Sequence, residues 1–189
     1  MAIRVFIDQG HNPSNYNTGA EGNGYFEQDI TYNIGKLLYG LFEQNPAFVP
    51  KLSRKTPTEN LGTDNSSSLK ARVDAANTWK ADLFLSIHTN ASENPSASGT
   101  EALIYGPSSK VAKAVGEDIL KQLNLLTGLR NRGIVYRPGL YVLKKTKMPA
   151  VLVECGFISN PYDARMMVQD PLLFARGIYR GVLEYYGLL

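Results

Sequence analysis

Cysteine is almost missing from this chain. One residue, Cys155, among 189 leaves no internal disulfide and no cysteine-built structural metal site, so stability has to come from a buried core. That single thiol leaves the redox compartment open. Long apolar runs are also missing. The first residues, Met1-Ala-Ile-Arg-Val-Phe-Ile-Asp8, read as a polar-ended strand rather than as a charged segment followed by an apolar stretch and a cleavage site, and no run approaches membrane-spanning length. The expectation is a soluble chain with no export signal and no transmembrane segment. Charge of one sign is scarce too: 20 Lys and Arg against 17 Asp and Glu give a formal net charge of +3, with no basic block. Weak attraction to polyanions fits that balance, whereas a dedicated nucleic-acid partner does not. Repeats, linkers and low-complexity tracts are absent, and the length suits one domain with one substantial core.

What is present is an alternation of strand and helix patterns. Ile3-Arg-Val-Phe-Ile7 is a short apolar run that stops at the turn residues Asp8-Gln-Gly-His11-Asn-Pro13. Residues 14–25, rich in Asn and Gly, read as a loop. Ile30, Ile34, Leu37, Leu38 and Leu41 then share one helical face, with Glu27 at the helix entrance. Residues 47–52 read as an edge strand that tolerates Pro50, residues 56–68 as a polar loop long enough to have a role, and residues 68–79 as a helix. Residues 81–87 form a core strand pattern ending at His88, residues 100–105 another strand, and Val111, Val115, Ile119 and Leu123 a helix. Residues 133–143 read as one or two short strands broken at Pro138-Gly139. The strand at 149–153 runs into Glu154, and a helix opened by Asp170-Pro171 closes the chain. The pattern predicts a single α/β domain with a mixed, largely parallel twisted sheet of about six strands, flanked by helices on both faces.

Ligands of open α/β sheets bind beyond the carboxyl ends of strands, and His11, His88 and Glu154 stand at the ends of the three strongest strand patterns. Either histidine alone would ordinarily be read as a hydrogen-bonded structural group. Here the chain's only two histidines share one predicted edge. Two imidazoles and one carboxylate suit a catalytic zinc ion with a position left open for water, and such a centre makes a nucleophile of water at neutral pH. A second carboxylate, Glu154, would take the proton of the attacking water and hand it to a departing amide nitrogen. Glu154 ends an apolar strand pattern, where a carboxylate without a partner is costly. Among the acidic residues near the first helix, Glu21, Glu27 and Asp29 are equivalent on physical grounds alone.

Four segments together, Phe6-Ile-Asp-Gln-Gly-His11, Tyr25-Phe-Glu-Gln-Asp29, Leu83-Phe-Leu-Ser-Ile-His-Thr-Asn-Ala91 and Pro149-Ala-Val-Leu-Val-Glu-Cys-Gly-Phe-Ile-Ser-Asn160, resemble the zinc-dependent N-acetylmuramoyl-L-alanine amidases in order and spacing. Arg72 with Ala76-Asn77, Gly99, Glu101, Arg132-Gly133 and Tyr141-Val-Leu143 extend the resemblance over nearly the whole chain. It implies that residues 1–189 are a zinc amidase catalytic domain, with Zn2+ held by His11, Glu27 and His88 and with Glu154 as the catalytic carboxylate. It thereby selects Glu27 over its neighbours. The implied substrate is peptidoglycan, cut between N-acetylmuramic acid and the first L-alanine of the stem peptide. The implied place of action is the bacterial cell wall, reached as a phage endolysin held in the cytoplasm until release or as part of a secreted hydrolase.

Two positions depart from the family pattern: Asn12-Pro13 stands where further glycine is common, and Cys155 where threonine is expected. Two rival readings follow. A cysteine amidase would use Cys155 with His88, although a strand that turns Glu154 into the site turns Cys155 away from it. A wall-binding module without catalysis would need neither the ligands nor the carboxylate. Arg132, Tyr136 and Tyr141, with Arg130 and Arg137, are candidates for a groove that holds the stem peptide and its carboxylates, and residues 56–68 for its wall.

Overall fold

The computed structural model describes residues 2–189. In chain order the elements are β1 (Ile3–Gln9), β2 (Glu21–Gly22), β3 (Tyr25–Phe26), α1 (Glu27–Glu43), β4 (Phe48–Leu52), α2 (Asn65–Thr78) and β5 (Leu83–Asn90). They continue with β6 (Thr100–Ile104), α3 (Lys110–Thr127), β7 (Asn131–Tyr136), α4 (Tyr141–Lys145), β8 (Ala150–Phe157), α5 (Pro161–Gln169) and α6 (Pro171–Tyr185). The main sheet has six strands in the order β4-β1-β5-β8-β6-β7. Strands β4, β1, β5 and β8 are parallel neighbours; β6 meets β8 antiparallel and carries β7 parallel to itself. The sheet is therefore mixed and largely parallel, as the alternating pattern predicts.

Side-chain alternation explains why both faces are covered. Val5, Ile7, Leu83, Leu85, Ile87, Val151, Val153 and Cys155 face one core, closed by Ile34, Leu38, Ile119, Leu123, Ile178 and Val182 from α1, α3 and α6. Phe6, Phe84 and Leu152 face the other, closed by Val73 and Ala76 of α2 and by Val142 and Leu143 of α4. Where α6 crosses α3, a Cβ on Gly181 would stand 2.3 Å from the Cα of Ile119, so a larger residue would force the two helices apart.

Several boundaries differ from the sequence reading for local reasons. Helix α2 starts earlier than residue 68, because Asp64 caps it: its carboxylate accepts from the Ser67 N–H and the Ser67 hydroxyl bonds back. The segment after Pro138-Gly139 is the short helix α4 rather than a second strand. Residues 21–26 form a two-stranded hairpin inside the predicted loop. Helix α5, absent from the sequence reading, starts at Pro161, where the Asn160 side chain accepts from the N–H groups of Tyr162 and Asp163. Strand β4 is a sheet edge, paired with β1 alone, which is where Pro50 is tolerated.

Candidate functional site

Strands β1, β5 and β8 are neighbours in the sheet, so the three residues read from their carboxyl ends meet at one edge. His88 and Glu154 are register partners across β5 and β8, and Glu154 is also the register partner of Glu101 across β8 and β6. Both strands run past these residues, to Asn90 and Phe157, so neither His88 nor Glu154 is the terminal residue that the apolar run suggests.

Helix α1 brings Glu27 under the two histidines. Its side chain is buried, with Oε2 3.1 Å from His11 Nε2 and Oε1 3.1 Å from His88 Nδ1. The Ala20 N–H donates to Oε2 and the Thr89 N–H to Oε1, each at 2.9 Å. Burial alone would raise the Glu27 pKa, but hydrogen bonding to His11 and His88 and their charges together hold this carboxyl well below the usual carboxylate range. The imidazole rings meet edge to face, 4.8 Å between centroids. A Cβ on Gly10 would lie 2.5 Å from His88 Cε1, so only glycine lets the end of β1 pass this ring.

His11 has a backbone φ of +69°, in the left-handed region that a side chain tolerates only when its surroundings hold it there. Arg72 supplies that hold. Its guanidinium donates to the His11 carbonyl at 2.5 Å, the Gln9 carbonyl at 2.6 Å and Asn12 Oδ1 at 3.1 Å. It also pairs with Asp8 at 2.6 Å, both groups being 1% exposed, while the Ser86 hydroxyl donates to the second Asp8 oxygen at 2.8 Å. Burial opposes the charge on Asp8, and the Arg72 cation and the hydrogen bonds of Arg72 and Ser86 outweigh it, leaving the pKa lowered. Asn12 and Leu61 exchange two hydrogen bonds at 3.1 Å, and Asn17 Nδ2 donates to Ser68 Oγ at 3.0 Å. Residues 56–68 thus fasten the His11 turn.

The donor set fits a cation. His11 Nδ1 lies 3.2 Å from the Asn17 carbonyl, and a carbonyl can only accept, so the ring proton sits on Nδ1 and Nε2 is left as a lone pair. That lone pair faces a carboxylate oxygen 3.1 Å away, an arrangement that requires a second ring proton or a metal ion between them. One ligand atom from each of His11, Glu27 and His88 lies within 4.8 Å of the others, so this cluster could hold a metal.

Glu154 is different in kind. Its Oε2 is buried and finds no hydrogen-bond partner among the described residues. Burial, followed by the charges of Glu27 and Glu101, pushes its carboxyl pKa up to about 8, against a weaker opposing pull from Arg137. Glu101 itself accepts from Asn90 Nδ2 at 2.6 Å and pairs with Arg132 at 3.2 Å. Beside the cluster is a cavity of about 180 Å3 lined by His11, His88, Arg72, Leu69, Leu140 and Tyr141 among others. Tyr141 therefore reaches the site. Arg132 and Tyr136 do not line this cavity: both are on the edge strand β7, with Arg132 engaged by Glu101 and stacked 4.9 Å from the centre of the Phe157 ring, and Tyr136 exposed.

Cys155 lies wholly in the core on the opposite face of β8, where burial and then the Glu154 and Glu27 charges push its thiol far up. Such a thiol has almost no thiolate at neutral pH. The native protein is expected to resist iodoacetamide, with Cys155 alkylated only after unfolding in denaturant. Rapid native labelling seen by intact-mass analysis would revive the cysteine reading.

Comparison with known proteins gives the family. The family described as N-acetylmuramoyl-L-alanine amidase matches residues 5–184. The chain is 37% identical over 186 residues to the amidase LytC of Bacillus subtilis, covering 96% of this chain and 35% of that protein. It is 32% identical over 196 residues to the endolysin of Bacillus phage SPP1, covering all of this chain and 68% of that one. The crystal structure of an N-acetylmuramoyl-L-alanine amidase from Clostridium difficile 630 superposes with a TM-score of 0.88 at 30% identity, over 98% of this chain and 97% of that one. This chain therefore spans about a third of the length of LytC and nearly all of the solved amidase. By profile, by sequence and by fold, the chain belongs to the N-acetylmuramoyl-L-alanine amidase family.

Proposed function

We propose that this chain is a zinc-dependent peptidoglycan amidase domain, spanning residues 1–189, that hydrolyses the amide between N-acetylmuramic acid and L-alanine at the bacterial cell wall. The observation that carries this reading is a buried carboxylate, Glu27, between two imidazole nitrogens at 3.1 Å, with a second, half-buried carboxylate on Glu154, the strand partner of His88. Family membership supplies the bond and the substrate.

His11, Glu27 and His88 would hold the ion, a donor set of two neutral nitrogens and one charge that suits a catalytic rather than a structural zinc. Zinc, when bound, supplies Lewis acidity toward water and the scissile carbonyl. Glu154 then does the proton transfer. A half-buried carboxylate with one buried oxygen unpartnered is free to accept the proton of the attacking water. The same group delivers that proton to the amide nitrogen, which cannot leave as an anion. A pKa near neutrality suits both halves of this exchange, and a cation at the neighbouring cluster draws the Glu154 pKa down from its metal-free value. Glu27 is held ionised by its hydrogen bonds, so the two glutamates divide the labour between holding and proton transfer.

The test is digestion of purified peptidoglycan with the protein, untreated, stripped by chelator, and stripped then resupplied with Zn2+. Free stem peptides with an N-terminal L-alanine, lost on chelation and restored by zinc, are the expected products by mass spectrometry. Cleavage inside the peptide, or cleavage indifferent to chelation, would remove the reading. Binding of wall material without any release would favour a wall-binding module.

A further inference from the structure

We propose that Asp163 is a positioning residue that aims the Glu154 side chain, by tying strands β8 and β6 together just beyond the pair formed by Glu154 and Glu101. The proposal rests on the amidase reading above and deepens it.

Strand β8 becomes irregular directly after Glu154. His88 pairs in register with Glu154 and Asn90 with Phe157, so Cys155 and Gly156 together stand against Thr89 alone. An extra residue of this kind bends a strand, increases its twist and re-aims the side chains beside it. On its other side β8 loses its partner at the same point. The antiparallel ladder to β6 runs from Leu152 and Leu103 to Glu154 and Glu101, and ends with that pair. Glu154 is thus followed at once by a bulge on one side and by an open ladder on the other. A slip of β8 by one residue here would put Cys155 on the face that Glu154 occupies.

Asp163 closes that opening. It is fully buried in the first turn of α5, and its Oδ2 accepts the Phe157 N–H of β8 and the N–H of Gly99, just before β6, each at 3.0 Å. Its Oδ1 accepts the Ser98 hydroxyl at 2.7 Å. One oxygen thereby takes a buried N–H from each of the two strand segments that the interrupted ladder no longer joins. Gly156 leaves the room for it: a Cβ there would lie 3.3 Å from both the Cβ and Oδ2 of Asp163. The neighbour of Glu154 depends on the same anchorage. Arg132, which pairs with Glu101 at 3.2 Å, lies 4.9 Å from the centre of the Phe157 ring and donates to the Ser98 carbonyl at 3.3 Å. Two of the residues that bond to Asp163 therefore also seat the cation that holds Glu101. The residues proposed to hold zinc lie just past β1, on α1 and on β5, so release of this tie changes the aim of Glu154 without dismantling the ion's holders.

Asp163→Ala and Asp163→Asn are made in the wild-type chain and in Glu154→Gln; kcat and KM for stem-peptide release are measured on the zinc enzymes, and zinc affinity on the stripped proteins by calorimetry. Asp163→Ala should lower kcat by about ten- to a hundred-fold, the usual cost of a misplaced reacting group, with KM and zinc affinity unchanged. Asp163→Asn should recover most of that rate, because its amide oxygen can still take both N–H groups while its NH2 donates to the Ser98 hydroxyl. In Glu154→Gln the alanine substitution should cost nothing further, since its effect runs through the group already lost. An unchanged kcat in Asp163→Ala, an equal fall in the Glu154→Gln background, a parallel loss of zinc affinity, or an Asp163→Asn as slow as the alanine variant overturns the proposal and leaves Asp163 a support of the fold. Should Asp163→Ala not fold, Asp163→Ser, which keeps an acceptor of shorter reach, carries the same comparisons. Glu154→Gln separates this proposal from the reading beneath it. Full activity there removes the proton-transfer role and this proposal with it, whereas a slow Glu154→Gln together with any overturning result removes this proposal alone.

Discussion

Glu154→Gln should lower the rate of stem-peptide release by about 10^2- to 10^4-fold, the range found when a positioned proton-transfer group is lost, and yet make the metal-free protein more stable. The two effects have one cause. In the metal-free protein the Glu154 carboxyl is raised from its ordinary 4.5 to about 8, by burial first and by Glu27 and Glu101 next. Between those values the folded protein keeps a proton that the unfolded chain has released, so stability falls as pH rises through the window. The loss is complete above about pH 8. Glutamine has no proton to lose, so thermal unfolding in chelator should show the two proteins equal near pH 4 and separating as pH rises. At pH 8 to 9 the gain should be on the order of 2 kcal/mol or more. With zinc bound the gap should narrow, because a neighbouring cation favours the ionised carboxyl. A variant that keeps its activity, or a gap that does not change with pH, would remove Glu154 from the proton-transfer role.

The edge that carries this chemistry was legible because strand patterns are strongest where a strand is buried on both faces. Ile3 to Ile7, Leu83 to Ile87 and Val151 to Val153 are near-continuous apolar runs, and each is followed by a residue with no apolar reason to be there. Alternation along β8 then separates Glu154 from Cys155 without any coordinates, and the structure puts the thiol in the opposite core. The choice of Glu27 was not legible from physics, since Glu21, Glu27 and Asp29 all suit a helix start. The resemblance selects Glu27, and the structure puts its carboxylate between His11 and His88, beside a hairpin of Glu21–Gly22 and Tyr25–Phe26 that the sequence hides because each strand has two residues. The supporting polar network was hidden for another reason. Asp8, Arg72, Asn12 and Asn17 meet across long sequence separations, and a buried arginine looks in sequence like any helical surface arginine. Arg132 likewise has a partner that the sequence does not show, Glu101 on the neighbouring strand.

Arg72→Met should have a large effect on stability although it lies outside the cluster. It leaves Asp8 ionised in the core, where only the Ser86 hydroxyl remains as a partner, and breaking one side of such a buried pair costs about 3–5 kcal/mol. At about 2–4 °C per kcal/mol for a chain of this size, the unfolding temperature should fall by roughly 6–20 °C. The acid side supplies the control. In the wild type burial raises the Asp8 pKa and Arg72 more than reverses it, so the pair contributes stability above the ordinary carboxyl pKa and loses it as pH falls through the lowered value. Without Arg72 the burial effect dominates, and the variant should gain stability relative to the wild type as pH is lowered from 7 toward 5. Asp8→Asn combined with Arg72→Met removes the stranded charge and should recover part of the loss. Zinc affinity by calorimetry should stay weakened even in the double variant, because the guanidinium also holds the carbonyls of Gln9 and His11, and His11 keeps its +69° φ only under that restraint. An Arg72→Met protein that unfolds within a degree or two of the wild type would mean that the turn is held by Asn12, Asn17 and the loop at 56–68 instead, and that the buried pair is a bystander to the centre it adjoins.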